Sequence, residues 1–184
     1  IVPDITIPFF PEILKGIERT ANGYGYNVVL CNTNEEVEKE ISSLQILREK
    51  LVDGAIISSV SGSNLTQKHI GEAINEKFPI VIIDRYSGGL SLPSVTIDHE
   101  RAAYEATMHL VGLGHEKIAV ITGNMKVALN QDRFSGYQKA LGEASLPCDY
   151  NLVAEGDFTV DEGFSCMQKL LERSRELTAV FAFN

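Results

Sequence analysis

The chain has 184 residues, of which 44% are hydrophobic, and its formal net charge at pH 7 is −9. This length suits one ordinary domain or two small lobes, and the acidic balance argues against a surface that grips nucleic-acid phosphates through clustered Lys and Arg. No apolar run approaches the roughly 20 residues of a membrane-spanning helix, so we expect no membrane contact. Three widely spaced cysteines without a CxxC pair predict reduced thiols in the cytoplasm.

The first half of the chain alternates apolar runs with segments of helical spacing. A strand opens the chain, and unbroken apolar runs follow at 28–30, 55–57 and 80–83. These runs do not alternate with polar residues, which is typical of strands covered on both faces in a parallel sheet. Helices are predicted between them over 9–24, 35–50 and 66–77. The clearest of these helices carries an apolar stripe of Val37, Ile41, Leu44 and Leu47.

The second half repeats this alternation after an interruption. Residues 85–95 contain a Gly pair and a Pro that break the pattern before a weak strand at 94–97. Helices over 99–113, 130–144 and 160–171 then accompany apolar runs at 118–121 and 179–181. Asp98, Asn130 and Thr159 have the side chains that accept hydrogen bonds from free backbone N–H groups at helix starts, so we predict that they cap these helices. In the first half of the chain, Thr33 followed by Glu36 has capping-box spacing and is predicted to cap the helix over 35–50.

The alternation predicts an α/β fold of two doubly wound parallel-sheet lobes, because right-handed crossovers place helices on both faces of a parallel sheet. The interruption divides the chain into an N-terminal lobe over 1–98 and a C-terminal lobe over 99–184. The second lobe ends on a strand with no element after it, so we expect this lobe to be truncated here and the native chain to continue. The opening strand likewise predicts residues before Ile1.

Ligands of open parallel sheets bind beyond the carboxyl ends of the strands, so the residues after each run are informative. These residues carry hydroxyl, amide, carboxylate and guanidinium groups among aromatic rings, which suits a polyhydroxylated ring or a base. Structural roles remain open: one ring of the Phe pair fits the core, Asp84 and Arg85 can pair with each other, and Arg133 can form a salt bridge. The candidate ligand contacts are Thr6, Phe9, Phe10, Ser58, Asp84, Arg85, Arg133, Phe158 and Asn184.

No motif indicates catalysis. A phosphate-binding loop and a GxSxG elbow are absent from the sequence, and neither His99 nor His115 completes an HExxH pattern. No Ser, Cys or carboxylate has the sequence context of a nucleophile or a general acid. We therefore predict no catalytic residue, no metal and no cofactor, and a protein that binds its ligand without transforming it.

With these strand ends in order, the chain resembles the effector-binding core of LacI/GalR-family transcription regulators. The matching motifs run in family order along almost the whole chain: VPDI at 2–5, PFF at 8–10, VDGAII at 52–57, IDR at 83–85, LGHEKIAVITG at 113–123, RFSGY at 133–137 and EGDF at 155–158. The LGHEKIAVITG block followed by RFSGY is the specific part. Two departures are His99, where the family has Asn, and the segment 124–126, which replaces a smaller loop and can alter effector choice.

The resemblance implies a periplasmic-binding-protein-like fold that holds a sugar or sugar phosphate between its lobes. It implies stacking by Phe9 or Phe10, bonds to hydroxyls from Asp84 and Arg133, an apolar wall at Phe158 and an amide from Asn184. It further implies a cytoplasmic homodimer, acting as a repressor, in which the effector controls operator DNA allosterically. The DNA would be bound by an N-terminal helix-turn-helix that this chain lacks.

Two other classes remain open at this point. A periplasmic sugar-binding protein of a transporter shares the two-lobed architecture; an export signal upstream of Ile1 would favour it, whereas a helix-turn-helix there would favour the regulator. An α/β enzyme such as a sugar-processing hydrolase would need a catalytic pair that the sequence does not show. Turnover of a ligand would reveal such an enzyme.

Overall fold

The computed structural model describes residues 1–49, 52–58, 64–84 and 91–184. The chain forms two compact units, Ile1–Thr96 and Ile97–Asn184, and each contains a three-stranded parallel sheet. Helices alternate with strands in both units, so the α/β class with parallel sheets is confirmed. Among the described residues, no helix combines the length and the apolar character needed to cross a lipid bilayer.

Unit 1 is built from three helices and three strands within its described residues. The helices are α1 (Phe9–Gly23), α2 (Val37–Glu49) and α3 (Asn64–Asn75), and the strands are β1 (Ala55–Ile57), β2 (Ile80–Ile83) and β3 (Ser94–Val95). The strands lie in the order β1-β2-β3, with Ile56 opposite Val81 and Ile82 opposite Ser94. The chain start extends this sheet beyond β1, since the backbone N–H of Ser58 donates to the carbonyl of Ile1 at 3.0 Å.

The strand predicted over 28–30 does not form. The sheet reaches this part of the chain only through a parallel bridge between Val2 and Asn32, and the side chains of Val29 and Leu30 remain 62% and 42% exposed. A cavity of about 520 Å³ lies between helix α1 and this segment. An apolar run becomes a covered strand only where another layer of the fold packs on it. Here that layer would be helix α1, and the cavity separates α1 from residues 28–30.

The core of unit 1 packs helices α2 and α3 against the sheet. Leu44 and Leu47 of the stripe predicted on α2 are buried, and they share one apolar cluster with Ile57, Ile70 and Ile82. Burial of each such side chain contributes about 1.5–3 kcal/mol to folding, so this cluster fixes β1 and β2. The carboxyl ends of these strands therefore have defined positions.

Unit 2 continues the alternation from its first helix onward. Its described elements are α4 (His99–Gly112), β4 (Ile118–Thr122), α5 (Ala128–Glu143), a 3₁₀ turn (Tyr150–Leu152), β5 (Val153–Glu155), α6 (Val160–Arg173) and β6 (Ala179–Ala182). All pairs are parallel in the order β5-β4-β6, so β4 is central. Apolar runs do not predict β5, because only Val153 and Ala154 of this strand are apolar.

Both faces of the unit 2 sheet are covered, as the unbroken run at 118–121 predicts. Val120 packs with Tyr137 of α5 on one face, and Ala119 packs with Leu170 of α6 on the other. Alternate residues of a strand point to opposite faces, which explains this division. The Tyr137 hydroxyl donates to the carbonyl of Ile118 at 2.8 Å, so even the polar end of this buried ring has a partner.

Two of the four predicted helix caps are confirmed. The side chains of Asp98 and Thr159 accept hydrogen bonds from the backbone N–H three residues later, at 2.9 and 3.3 Å. Thr33 does not cap α2, because its hydroxyl donates to the carbonyl of Val2 at 3.3 Å and the helix begins at Val37. The prediction for Asn130 is wrong. Helix α5 begins at Ala128 after Val127, no side chain caps it, and Asn130 lies inside its first turn. The amide of Asn130 serves a different purpose, described below.

Candidate functional site

The first loop of unit 1 is held by its own side chains. The Oδ1 atom of Asp4 accepts hydrogen bonds from the backbone N–H and the hydroxyl of Thr6, both at 2.8 Å. The Oδ1 atom of Asn32 accepts from the backbone N–H of Ile5 at 2.9 Å and ties this loop to the neighbouring one. Thr6 is exposed, so the structure leaves this predicted contact open to a ligand.

The aromatic pair of unit 1 divides into a core ring and an exposed ring. Phe10 has no exposed surface and belongs to the core, whereas Phe9 is 38% exposed. The two rings meet edge to face, with centroids 5.2 Å apart and planes at 76°. Phe9 is therefore the ring that a ligand can reach, and the burial of Phe10 contradicts a stacking role for it in this conformation.

Two further candidate residues of unit 1 follow strands directly. Ser58 comes after β1 and is fully buried, and its hydroxyl has no hydrogen-bond partner among the described residues. Asp84 comes after β2 with φ at 59°, in the left-handed backbone region that is uncommon for residues other than Gly. Backbone strain of this kind is concentrated at functional sites. Arg85, the next candidate, lies outside the described residues.

Arg133 joins three elements of unit 2 at the strand ends. Its Nη1 donates to the carbonyl of Phe183 at 2.8 Å, and its Nε donates to Nδ1 of His99 at 3.2 Å. The start of α4, the first half of α5 and the end of β6 therefore meet at one guanidinium group. Asn184 follows Phe183 directly and is exposed, so the structure brings Arg133 to the backbone beside Asn184.

His99 takes part in this arrangement although the sequence assigns it no ligand role. Its ring is buried, and Nδ1 must be the acceptor because Nε of Arg133 carries a hydrogen. The one sequence signal was that His99 departs from the Asn of the resembling family. We infer that this ring fixes the direction of the guanidinium from the side of α4.

Phe158 has a strained backbone and a very close neighbour. Its φ of 70° lies in the left-handed region, which costs a residue with a Cβ about 1–2 kcal/mol. Its ring lies so near strand β4 that a Cβ added at Gly123 would come within 2.2 Å of the ring. Gly123 is thus required for this ring position, and a motif match alone could not show that. The ring packs in the same apolar cluster as Phe183.

The side chain of Asp157 holds the strained turn. Its Oδ1 accepts from the hydroxyl of Thr159 at 2.6 Å and from the backbone N–H of Thr159 at 2.9 Å. These two hydrogen bonds, the hydroxyl first, keep the pKa of Asp157 below its usual value. Thr159 in turn caps α6, so the turn and the helix start form one hydrogen-bonded unit. Asp157 therefore fixes its own loop.

The strand ends of unit 2 combine an aromatic ring, a held guanidinium and an exposed amide. Within the part of the chain that the structure describes, no group of three His, Cys, Asp or Glu side chains could hold a metal ion. Hydroxyl-rich ligands are recognised by this mixture of an aromatic face and hydrogen-bonding groups. The geometry favours binding of a small polar molecule.

Comparison with protein families and curated proteins also identifies a protein that binds a small molecule. The family model for periplasmic binding proteins and the sugar-binding domain of the LacI family matches residues 1–184. Catabolite control protein A of Priestia megaterium is 37% identical over 182 residues, which are 98% of this chain and 54% of that protein. The ribose operon repressor of Halalkalibacterium halodurans is 38% identical over 182 residues, which are 99% of this chain and 52% of that protein. The chain spans about half the length of these curated relatives.

Solved structures agree with these relatives. The transcription regulator CcpA of Lactococcus lactis has a TM-score of 0.85 at 36% identity, with 98% of this chain and 66% of that chain covered. The complex of the transcriptional regulator CelR with cellobiose has a TM-score of 0.82 at 29% identity, with 98% and 56% covered. The chain belongs to the family of periplasmic binding proteins and sugar-binding domains of LacI-family regulators.

Proposed function

We propose that this chain is the effector-sensing domain of a bacterial transcription regulator, a repressor, and that its effector is a small sugar or a sugar-like molecule. The observation that carries the proposal is the junction at Arg133, where α4, α5 and β6 meet at the strand ends of unit 2. The relatives named above are regulators, which favours this class over a transporter's periplasmic protein. Because they are not enzymes, we further propose that the effector is bound without turnover.

The proposed contacts follow the strand ends in each unit. Arg133 supplies hydrogen-bond donors, Phe158 an apolar wall and Asn184 an amide in unit 2. In unit 1 the proposed contacts are Thr6, Phe9, Asp84 and Arg85. We leave out Phe10 and Ser58, because both side chains are fully buried. The effector class includes sugar phosphates, since a guanidinium can bond hydroxyl and phosphate oxygens alike.

In this proposal, binding of the effector controls the binding of DNA. A ligand that binds one conformation of a protein more tightly than another shifts the population toward that conformation. We propose that effector binding in this chain shifts a cytoplasmic regulator in this way. The operator is contacted by an N-terminal helix-turn-helix outside this sequence, which is consistent with the net charge of −9.

A binding screen with one matched pair of variants tests the proposal. Thermal shifts are measured for the full chain with ribose, glucose, cellobiose and the phosphates of the two monosaccharides, and the strongest ligand is titrated. Arg133→Ala should weaken its binding about tenfold to a hundredfold, because a charged hydrogen bond contributes about 1.5–3 kcal/mol. Arg101→Ala is the control, since Arg101 is exposed and pairs with Glu105 on α4 at 2.8 Å.

The two variants separate a binding role from a structural one. Both lose one positive charge, so a general electrostatic effect would weaken binding equally in both. A large fall in melting temperature for Arg133→Ala with unchanged affinity would make Arg133 structural and would contradict the proposed site. Conversion of the ligand during a long incubation would point to an enzyme instead.

We also propose that the regulator is a homodimer, and helix α6 offers a surface for it. Val160, Phe164 and Leu171 lie on one face of α6 and are 89%, 65% and 51% exposed. This α6 stripe would be buried by a second copy of the chain. The first turn of α6 is acidic and Arg173 lies in its last turn, so in an antiparallel pair each Arg173 would face the acidic turn of the other copy.

The oligomeric state tests the α6 stripe. Phe164→Glu should shift the sedimentation coefficient of the full chain from dimer to monomer, because it would bury a charge in the interface. Leu113→Glu is the control, since Leu113 is 64% exposed but lies outside the stripe. Equal behaviour of both variants would exclude the stripe as the interface.

A further inference from the structure

The loop 124–127, which connects β4 to α5, is held in place by residues outside the proposed contacts. The backbone N–H of Met125 donates to Oε1 of Glu155 at 3.2 Å, and Nε2 of Gln131 donates to the carbonyl of Met125 at 2.8 Å. The backbone N–H of Lys126 donates to Oδ1 of Asn124 at 2.9 Å and closes a local turn. The loop is therefore fixed from β5 on one side and from α5 on the other.

Asn130 makes the innermost of these contacts. Its side chain is fully buried, and its Nδ2 donates to the carbonyl of Asn124 at 2.9 Å. The same carbonyl accepts from the backbone N–H of Val127 at 3.0 Å. A Cβ at Gly123 would lie 2.7 Å from Nδ2, so the amide lies directly against the end of β4.

An amide is a poor choice for stability at this buried position. The Oδ1 atom of Asn130 has no hydrogen-bond partner among the described residues, and the same holds for the buried hydroxyl of Thr122, one residue before Gly123. A buried polar atom without a partner destabilises the folded state, and an apolar side chain of similar volume, such as Leu, would avoid that cost. Polar groups retained against stability are characteristic of functional positions.

We infer that Asn130 is a positioning residue for effector choice. It holds the loop 124–127 at the carboxyl end of β4, next to Gly123 and the Phe158 ring. It thereby fixes the positions of Met125 and Lys126. The inference rests on the proposed function, because it assigns the loop to the same effector site. Asn130 itself does not contact the effector, since it is fully buried. Its replacement should change the selectivity between ligands rather than abolish folding.

Two variants of the full chain and one control test this inference. Asn130→Leu removes the amide at similar volume, and Asn130→Ser provides a smaller side chain if the Leu variant does not fold. Thr107→Val is the control, because Thr107 is fully buried and donates to the carbonyl of Ala103 within α4 at 2.8 Å. Two quantities are measured: hydrogen exchange at the amides of Lys126 and Val127, and dissociation constants for ribose, cellobiose and glucose 6-phosphate.

In Asn130→Leu both amides should exchange about tenfold faster, because the loop loses a buried hydrogen bond. The ratio of the dissociation constants among the three sugars should change, while the melting temperature stays equal or rises. Thr107→Val should alter neither the exchange nor the ratio. These readouts separate positioning from stability, because a purely structural residue would lower the melting temperature and weaken all sugars alike.

Several outcomes would overturn the inference. Unchanged exchange at Lys126 and Val127 would show that Asn130 does not hold the loop. Faster exchange with unchanged sugar ratios, or uniform weakening with a lower melting temperature, would show that the loop does not govern selectivity. If the unmodified chain binds none of the five ligands of the screen, the proposed sugar effector fails and the role of the loop in effector choice fails with it, whereas amide exchange still shows whether Asn130 positions the loop.

Discussion

Replacing Gly123 by Ala tests whether β4 and the Phe158 ring must meet as closely as they do. The new Cβ would lie 2.2 Å from Cζ and 2.6 Å from Cε2 of Phe158, and 2.7 Å from Nδ2 of Asn130. Carbon atoms in contact are about 3.5–4.0 Å apart, so the ring must retreat by more than about 1 Å. The Phe158 backbone has little freedom to follow, because its φ of 70° is already strained and Asp157 holds the turn.

Forced repacking of this kind lowers the free energy of unfolding by about 1–3 kcal/mol. Because Phe158 is the proposed apolar wall, the effector should also bind at least about tenfold more weakly, which corresponds to about 1.4 kcal/mol. Urea unfolding gives the first quantity, and titration with the best ligand of the screen gives the second.

Gly142→Ala is the matched control for this substitution. Gly142 is also in unit 2, near the end of α5, and an added Cβ there would meet no atom within 4 Å. Helix propensity alone should therefore stabilise this variant, by about 0.5–1 kcal/mol. A Gly123→Ala protein with the stability and affinity of the unmodified chain would refute the reasoning, since it would show that the ring moves away at no cost.

Two further predictions concern unit 2. Gly136→Ala should destabilise the fold by more than the roughly 1–3 kcal/mol of ordinary overpacking. Its Cβ would lie 2.1 Å from the carbonyl oxygen of Glu100 and 2.8 Å from the backbone nitrogen of Tyr104, and backbone atoms cannot rotate away as a side chain can. Urea unfolding of Gly136→Ala, compared with Gly142→Ala, measures the loss of stability. Asp157→Asn should unfold more readily than the unmodified chain at pH 6, and the difference should shrink toward pH 3. Hydrogen bonds from Thr159 lower the folded-state pKa of Asp157, so its contribution to stability is present above the unfolded pKa and is lost as the pH falls through the folded value. An equal difference at both pH values would contradict this.

Sequence patterns predict the fold well where the information is local or repeated. Runs such as 118–121 become the central strand β4, because unbroken apolar residues suit a strand covered on both faces. Asp98 and Thr159 cap helices because the geometry needs only residues three positions apart. The run at 28–30 does not form a strand for a non-local reason. Whether the run is covered depends on the distance between helix α1 and this segment, and the spacing of residues in the sequence does not encode that distance.

The site was less predictable because its residues act through contacts far apart in sequence. Arg133 was nominated by its motif, but its bond to the carbonyl of Phe183 spans 50 residues, and its partner His99 could not be paired with it from composition. Asn130 was predicted to cap a helix because Asn is common just before the first helical residue. Its side-chain amide instead donates a hydrogen bond to the carbonyl of Asn124. The need for Gly123 is invisible without the position of the Phe158 ring.

Backbone strain gives an argument for the site that does not depend on family likeness. Lys77 and Ser145 have positive φ just after helices, where a left-handed residue commonly ends the helix. Asp84 and Phe158 also have positive φ, but Asp84 follows strand β2 and Phe158 lies shortly after strand β5. The end of a helix therefore does not explain their positive φ. Strained conformations persist only where the surrounding structure enforces them, and Asp157 does so at Phe158. Asp84 and Phe158 therefore lie at the strand ends at which an open parallel sheet binds its ligand.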